Sequence, residues 1–165
     1  MNGSTGDDVE PLDPGADLIR VELARILIRE TEDTHFLELR EIEDDDLSFH
    51  DDSNDGPPLR AIPIVIGFSE AAAIERRLMG QKPVRPQTHE LLATVIDRLN
   101  HEIDRVVISD LRDHTFYAEL RLRDRSTGAS VVIDARPSDA IALGVGVDVP
   151  IYAAEHVLDA GTTAN

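Results

Sequence analysis

The stretch EIDRVVISDLRDHTFYAELRLRD, residues 102–124, decides the fold class. Apolar residues recur through its first half, and in its second half apolar and polar side chains alternate, as they do in strands that bury one face. This pattern predicts strands over residues 102–112 and 114–124, joined by a tight turn at Arg112–Asp113. A hairpin of this kind makes its strands antiparallel, which argues against a doubly wound parallel sheet.

Patterns on both sides of this hairpin predict the rest of one α+β domain over residues 18–160. Further strands are predicted at residues 18–30, 34–42, 59–67, 129–135 and 149–154. In the first of them the alternation of apolar and polar residues is interrupted near Ala24. Helices are predicted at residues 68–80, 88–100 and 137–146. Pro63 predicts an edge position or a bulge for its strand, because proline cannot donate to a ladder.

Two of the helices carry signals that the structure can test. Ser69 is a plausible cap for the helix at 68–80, and Gly80 predicts its end. In the helix at 88–100 the apolar residues fall on one stripe, which is typical of an amphipathic helix. The stripe consists of Leu91, Leu92, Val95, Ile96 and Leu99.

Acidic residues are concentrated in two segments. Residues 1–17 predict a disordered acidic tail, residues 43–58 an acidic loop insertion, and residues 161–165 a second tail. The formal net charge is −17 for the whole chain and −4 when residues 1–17 and 41–55 are left out. The folded remainder is therefore nearly balanced, although the charge of the whole chain opposes a nucleic-acid partner. Lys82 is the single lysine among 16 basic residues, which suggests a saline habitat or a GC-rich genome.

Several classes of protein are excluded by what the sequence lacks. The chain has no cysteine, so it has neither disulfides, zinc–thiolate sites nor a cysteine nucleophile. It has no Gly-rich nucleotide loop, so we expect no organic cofactor. No apolar run approaches the roughly 18 residues of a membrane helix, and no secretory signal is visible. These features predict a cytoplasmic protein with no membrane partner.

The segment DARPSDAIAL, residues 134–143, contains the candidate residue that is hardest to explain. Pro137 suits a first helical position, and Ser138 can cap the free N–H groups there. Arg136 does neither, and it precedes a proline that pushes it toward extended geometry. Its guanidinium can pair with a neighbouring carboxylate, Asp134 or Asp139, or it can bind a phosphate.

Other polar residues lie at the starts of helices and in turns. Glu70 and Glu90 occupy first helical turns, where the helix dipole favours a carboxylate. His89 is less favoured there as a cation, so a neutral His89 is a candidate metal ligand or general base. Asp110 and Asp113 flank the predicted hairpin turn, where aspartate usually caps backbone.

Four blocks of sequence, taken together, carry a more specific signal. They are IPIVIGFSEAAAI (62–74), RPQTHELL (85–92), VVISDLRDHTFYAEL (106–120) and IDARPSDAIAL (133–143), followed by PIY at 150–152. In this order and spacing the chain resembles the bifunctional nuclease domain family, small domains of prokaryotes and plants. The resemblance covers about residues 18–155.

The resemblance implies an α+β fold with a mixed, strongly curved sheet, a homodimer, and non-specific cleavage of DNA and RNA. The matching polar positions are Glu70, Thr88, His89, Glu90, Asp110, Asp113, Tyr117, Arg136, Ser138 and Asp139. Glu90 stands where aspartate is commoner in the family. The acidic stretch 43–58 is a second departure, because the family usually has a tighter turn there. This stretch would repel a phosphate backbone at low salt.

Two functional hypotheses follow. In the first, a nuclease hydrolyses DNA or RNA with Mg²⁺ or Mn²⁺ held by Asp110, Asp139 and Glu70. His89 is then the general base, Arg136 binds the phosphate, and Asp139 completes the catalytic set. Further substrate contacts come from Thr88, Ser138 and Tyr117. In the second hypothesis the protein is a non-catalytic homodimeric binding or regulatory module, in which Arg136 only braces its turn.

Overall fold

The structure, a computed structural model, describes residues 17–27, 35–42 and 59–163. The strands are β1 (Leu18–Leu27), β2 (His35–Glu41), β3 (Ala61–Ile66), β4 (His101–Arg112), β5 (Thr115–Asp124), β6 (Ser130–Ala135) and β7 (Ile151–Ala154). The helices are α1 (Phe68–Leu78), α2 (Thr88–Arg98), α3 (Pro137–Val147) and α4 (Glu155–Thr163). The predicted α+β class is confirmed. The acidic tail and loop, residues 1–16 and 43–58, lie outside the described residues.

The seven strands form one open, mixed sheet in the order β3-β2-β1-β7-β4-β5-β6. All neighbours pair antiparallel except β4 and β7, which are parallel. Helix α4 packs against both β3 and β4. These strands are four places apart, about 19 Å in a flat sheet, so the sheet curves around α4 as the family resemblance implied.

The predicted strands agree with the structure within the described residues, and one turn lies one residue later than predicted. The register of β1 against β2 slips between Leu23 and Arg25, which is the irregularity expected near Ala24. Pro63 lies in the edge strand β3. The turn between β4 and β5 is one residue later than predicted, at Asp113 and His114, whose φ angles are +48° and +62°. Two consecutive left-handed residues form the turn that matches the twist of a tight hairpin.

The core lies between one face of the sheet and the helices, and α3 is its most buried helix. Ile141, Leu143 and their neighbours on α3 are almost completely buried. The helix at 137–146 was expected to be short, but among the described helices α3 is as long as α1 and α2, with 11 residues each, and α4 has 9. Gly144 permits this close packing, because a Cβ there would lie 2.8 Å from a methyl group of Val106.

The structure corrects the cap of α1 and shows how little of the apolar stripe of α2 is buried. α1 begins after Gly67, which is its N-cap, and Ser69 makes no capping hydrogen bond. Gly80 does end α1 in the left-handed region, with a φ of +64°. On α2 only Ile96 of the predicted stripe is buried. The other members, Leu91, Leu92, Val95 and Leu99, are 42–66% exposed.

Candidate functional site

The N-termini of three helices bring polar residues together from distant parts of the chain. Glu70 lies in the first turn of α1, and Asp139 lies in the first turn of α3. His89 is the second residue of α2. Because α3 packs against both α1 and α2, these first turns converge on Arg136, the N-cap of α3.

A continuous chain of hydrogen bonds links these four residues. The His89 Nε2 lies 3.0 Å from Asp139 Oδ1, and Arg136 Nε donates to Asp139 Oδ2 at 2.8 Å. Arg136 Nη1 donates to Glu70 Oε1 at 3.3 Å. The Asp139 carboxylate thus holds a histidine with one oxygen and an arginine with the other. Arg136 does not pair with Asp134 among its described contacts.

These contacts keep Asp139 ionised. Burial by itself would raise the pKa of Asp139, but the hydrogen bonds from Arg136 and His89 outweigh it and lower that pKa. The bond to Asp139 in turn raises the pKa of Arg136. The side chain of Arg136 is nevertheless 66% exposed, and its Nη2 has no acceptor among the described residues. It can therefore donate to a ligand.

The bond to Asp139 leaves the second nitrogen of His89, Nδ1, without a partner among the described residues. An ionised Asp139 can only accept, so it places the imidazole proton on Nε2 and leaves the lone pair on Nδ1. Nδ1 has no partner among the described residues and is not among their buried polar atoms. The side chain itself is mostly covered, with 16% exposed. A neutral imidazole held this way can act as a general base.

Two small clefts meet at Arg136 and Glu70. One, of about 280 Å³, is lined by Thr88, His89 and Asp139 together with Arg76. The other, of about 320 Å³, lies between β3 and the start of β5 and includes Ser138 in its lining. Thr88 is exposed and Ser138 is buried. The structure thus brings Glu70, Thr88, His89, Arg136, Ser138 and Asp139 to one region.

Sequence reasoning missed two arginines of α1 at this region. Arg76 Nη2 donates to Gln87 Oε1 at 2.5 Å, and its Nε is buried without a described acceptor. The side chain of Arg77 is only 8% exposed and connects all three helices, because it donates to the Ala142 carbonyl at 2.5 Å and to Glu90 at 3.3 Å. Nothing in the local sequence marks these contacts, since they depend on how α1 packs against α3.

Glu90 has a structural role. Its side chain accepts from the backbone N–H of Gln87 and completes a capping box at the start of α2. Burial would raise the pKa of Glu90, but the bonds from Gln87 and Arg77 lower it overall. These contacts fix the first turn of α2 and thereby the position of His89.

Two predicted site residues lie in a separate group. Asp110 pairs with Arg112 at 2.9 Å and with His156 at 3.3 Å. The guanidinium of Arg112 stacks over Tyr117, 4.1 Å from the ring centre. Asp110 and Tyr117 share no described contact or cleft with Asp139. Asp113 belongs to the hairpin turn.

The residues predicted to bind a metal do not fit a divalent cation as they are arranged. The guanidinium of Arg136 lies between the carboxylates of Glu70 and Asp139, so a cation already occupies the position that a metal needs. The third predicted ligand, Asp110, is in the other group. Within the described ranges no cluster of three or more acidic or histidine side chains is arranged to hold a metal ion.

Comparison with known proteins identifies the family. The family described as the bifunctional nuclease domain matches residues 52–165, so the chain belongs to this family. Proteins from two strains of Mycobacterium tuberculosis, both named only as uncharacterized, are 46% identical over 99 residues. The match covers 60% of this chain and 57% of each relative's length. None of the helices in the described ranges is both long and apolar enough to cross a membrane.

Proposed function

We propose that this member of the bifunctional nuclease domain family cleaves RNA at the site formed by His89, Asp139 and Arg136. The observation that carries the proposal is the chain of hydrogen bonds in which Asp139 orients His89 on one side and Arg136 on the other. A base and a cation are thereby fixed on either side of one carboxylate. Family membership supports the cleavage of phosphodiester bonds. The paired base and cation of the site support cleavage of RNA in particular.

RNA suits this site because it carries its own nucleophile. Nδ1 of His89 takes the proton of a ribose 2′-hydroxyl, and O2′ attacks the adjacent phosphorus. The bond from phosphorus to O5′ breaks, and O5′ takes a proton from solvent. The products are a 2′,3′-cyclic phosphate and a 5′-hydroxyl, and His89 returns its proton to solvent. Such general base catalysis typically contributes a factor of about 10²–10⁴ to a rate.

Arg136 supplies the positive charge that the phosphate requires. Its free Nη2 can donate to a phosphate oxygen while Nε remains bonded to Asp139. Arg76 lines the same cleft, and the N-termini of α2 and α3 add partial positive charge. These groups stabilise the negative charge that the non-bridging phosphate oxygens carry in the transition state.

The proposal differs from the sequence-based hypothesis in its treatment of the metal. Since Arg136 lies between the carboxylates of Glu70 and Asp139, no step is assigned to Mg²⁺ or Mn²⁺, and the proposal predicts cleavage without a metal. The test is cleavage of single-stranded RNA by highly purified protein in EDTA, Mg²⁺ or Mn²⁺. Cleavage should persist in EDTA.

A matched pair of histidine variants assigns the activity to the site. His89→Gln should lower the rate about 10²-fold or more. His156→Gln is the matched control, because His156 also pairs with an aspartate, Asp110. It lies outside the site, so this variant should cleave at the wild-type rate. Equal traces of cleavage by all three proteins would indicate a contaminant. The proposal would be refuted if the His89→Gln protein cleaved RNA as fast as the wild type and did so only with Mg²⁺ or Mn²⁺.

The same contacts support a second candidate function, a non-catalytic binding module. Arg136 pairs with Asp139 and Glu70, as expected of a residue that braces the start of α3. In that case Arg136→Ala lowers the melting temperature, and the wild-type protein binds but does not cleave RNA. Under the nuclease proposal the exposed Arg136 contributes little to stability, and Arg136→Ala loses turnover while it stays folded.

A further inference from the structure

The cleft of about 320 Å³ beside Arg136 follows the open edge of strand β3. It is lined by the consecutive residues 63–67 on one side, by residues 114–116 on the other, and by Glu70 and residues 136–138. Side chains on a strand alternate between its faces, so a cleft over one face would be lined by every second residue. Lining by consecutive residues therefore places this cleft at the edge of the strand, and we call it the edge cleft.

The register of β3 shows which of its backbone groups reach the edge cleft. β3 pairs with β2 in a register without a bulge and has no second neighbour among the described strands. The N–H of Glu41 donates to the carbonyl of Arg60 at 2.9 Å, so these two residues form a hydrogen-bonded pair. Bonded pairs alternate along an antiparallel ladder, so Ile64 also directs its backbone groups toward β2. Pro63 and Val65 direct theirs to the open edge, where the missing N–H of Pro63 breaks no ladder bond.

Val65 thus presents an N–H donor and a carbonyl acceptor, side by side, to the edge cleft. Gly67 is also extended, with φ −80° and ψ 169°, so its N–H is directed to the same edge. Phe116, which is half-buried, and Pro137 supply apolar walls. Adjacent donors and acceptors beside apolar walls are complementary to a nucleobase, whose Watson–Crick edge carries donors and acceptors and whose faces are apolar.

The position of the edge cleft relative to His89 indicates which nucleotide it holds. His89 lines the other cleft and not this one, and the two clefts share Arg136 and Glu70. A phosphate bound at Arg136 therefore has the attacking O2′ on the side of His89. The leaving oxygen departs in line with the attacking one, so O5′ lies on the far side of phosphorus. The nucleoside attached to O5′ thus extends toward the edge cleft.

We propose that the edge cleft binds the base of the nucleotide that follows the cut. This inference rests on the proposed cleavage at His89, because that reaction sets the direction of the RNA chain. An open strand edge can also pair with an extended peptide, but the exposed Arg136 at the mouth of the cleft favours a nucleic acid. The cleft lies at the lower end of the range for ligand sites, which suits a single base.

Strands of DNA that contain one ribonucleotide test the position of this subsite. In one strand the nucleotide on the 3′ side of the ribonucleotide lacks its base, and in a matched control the nucleotide on its 5′ side lacks it. The purified protein should cut the first strand about 10-fold more slowly than the strand with all its bases, since the hydrogen bonds and stacking of that base are lost. It should cut the control as fast as the complete strand.

A pair of variants connects this effect to β3. Val65→Pro removes the N–H that faces the edge cleft, and β3 already contains Pro63 in the equivalent orientation, so the variant should fold. One hydrogen bond to the base is then lost, so the difference between the complete strand and the 3′-abasic strand should shrink about fivefold. Val65→Ala keeps the N–H and should keep the full difference. Thermal denaturation of both variants checks that they are folded.

The outcomes separate this inference from the cleavage on which it rests. If the wild type cuts after the ribonucleotide equally fast with and without the 3′ base, the subsite is refuted and the cleavage site stands. Slowing by loss of the 5′ base alone, or an undiminished difference in a folded Val65→Pro protein, also overturns the subsite. A wild-type protein that makes no cut after the ribonucleotide overturns the cleavage proposal and this inference with it.

Discussion

Asp139→Asn tests the site most informatively, because it removes a charge and preserves the shape of the side chain. The wild-type carboxylate accepts from His89 with one oxygen and from Arg136 with the other. Asparagine has a single oxygen, which stays with Arg136 because arginine can only donate. The amide nitrogen must then donate to Nε2 of His89.

This exchange reverses the tautomer of His89. Nε2 becomes the acceptor, and the proton moves to Nδ1, the nitrogen that the proposed mechanism needs as a base. His89 can then no longer take a proton from the substrate, so we expect the loss of most of its general base contribution, about 10²–10⁴-fold in rate. Arg136 keeps its acceptor. The free energy of unfolding should therefore fall by only about 1 kcal/mol, since the carboxylate is one-third exposed.

The assay is single-turnover cleavage of RNA by both proteins, with thermal denaturation on the same samples. A large loss of rate with a small loss of stability is the expected result. Raising the pH should not restore the variant, because its defect is the tautomer and not ionisation. A folded Asp139→Asn protein that cleaves within about threefold of the wild-type rate would refute the reasoning.

Three further predictions concern packing, pH and salt. Gly144→Ala places a Cβ 2.8 Å from Val106, so thermal denaturation should show a loss of about 1–3 kcal/mol. The pKa of Asp139 is lowered by folding, so its contribution is present above the usual value of 3.8 and is lost as pH falls through the lower folded value. The stability difference between wild type and Asp139→Asn, measured by denaturation, should accordingly vanish in acid. Cleavage should accelerate from low to moderate salt, because salt screens the acidic segments at 1–17 and 43–58 from the substrate; a steady decline with salt in the RNA assay would contradict this.

Much of the fold was predictable because its signals are local. Alternation in β5 and the short turn before it indicated the hairpin, and the break in alternation near Ala24 located the irregularity of β1. Pro63 identified an edge strand. The pairing of β7 with β1 and β4 has no local signal, because it depends on the whole sheet.

The apolar stripe of α2 shows why periodicity alone does not establish burial. Leu92, Val95 and Ile96 have the spacing of a buried face, yet only Ile96 reaches the core. Helical spacing shows that residues share a face and not what covers that face.

The candidate site was predictable in its residue types but not in its grouping. His89, Arg136 and Asp139 stood out because each is poorly explained at its own position or lies at a helix start. Asp110 lies beside a turn instead, and its partner His156 could be found only from the packing of α4 against β4. Arg76 and Arg77 gave no local signal, since their contacts are made between helices.

The central claim is that His89 activates a ribose hydroxyl, and a DNA strand with a single ribonucleotide tests it most directly. The strand is incubated with purified protein in EDTA, and the products are identified by mass. The proposed mechanism predicts one cut, on the 3′ side of the ribonucleotide, with a 2′,3′-cyclic phosphate on the upstream fragment. Cuts spread over the deoxynucleotides, or a cut that leaves no cyclic phosphate and appears only with Mg²⁺ or Mn²⁺, would contradict it.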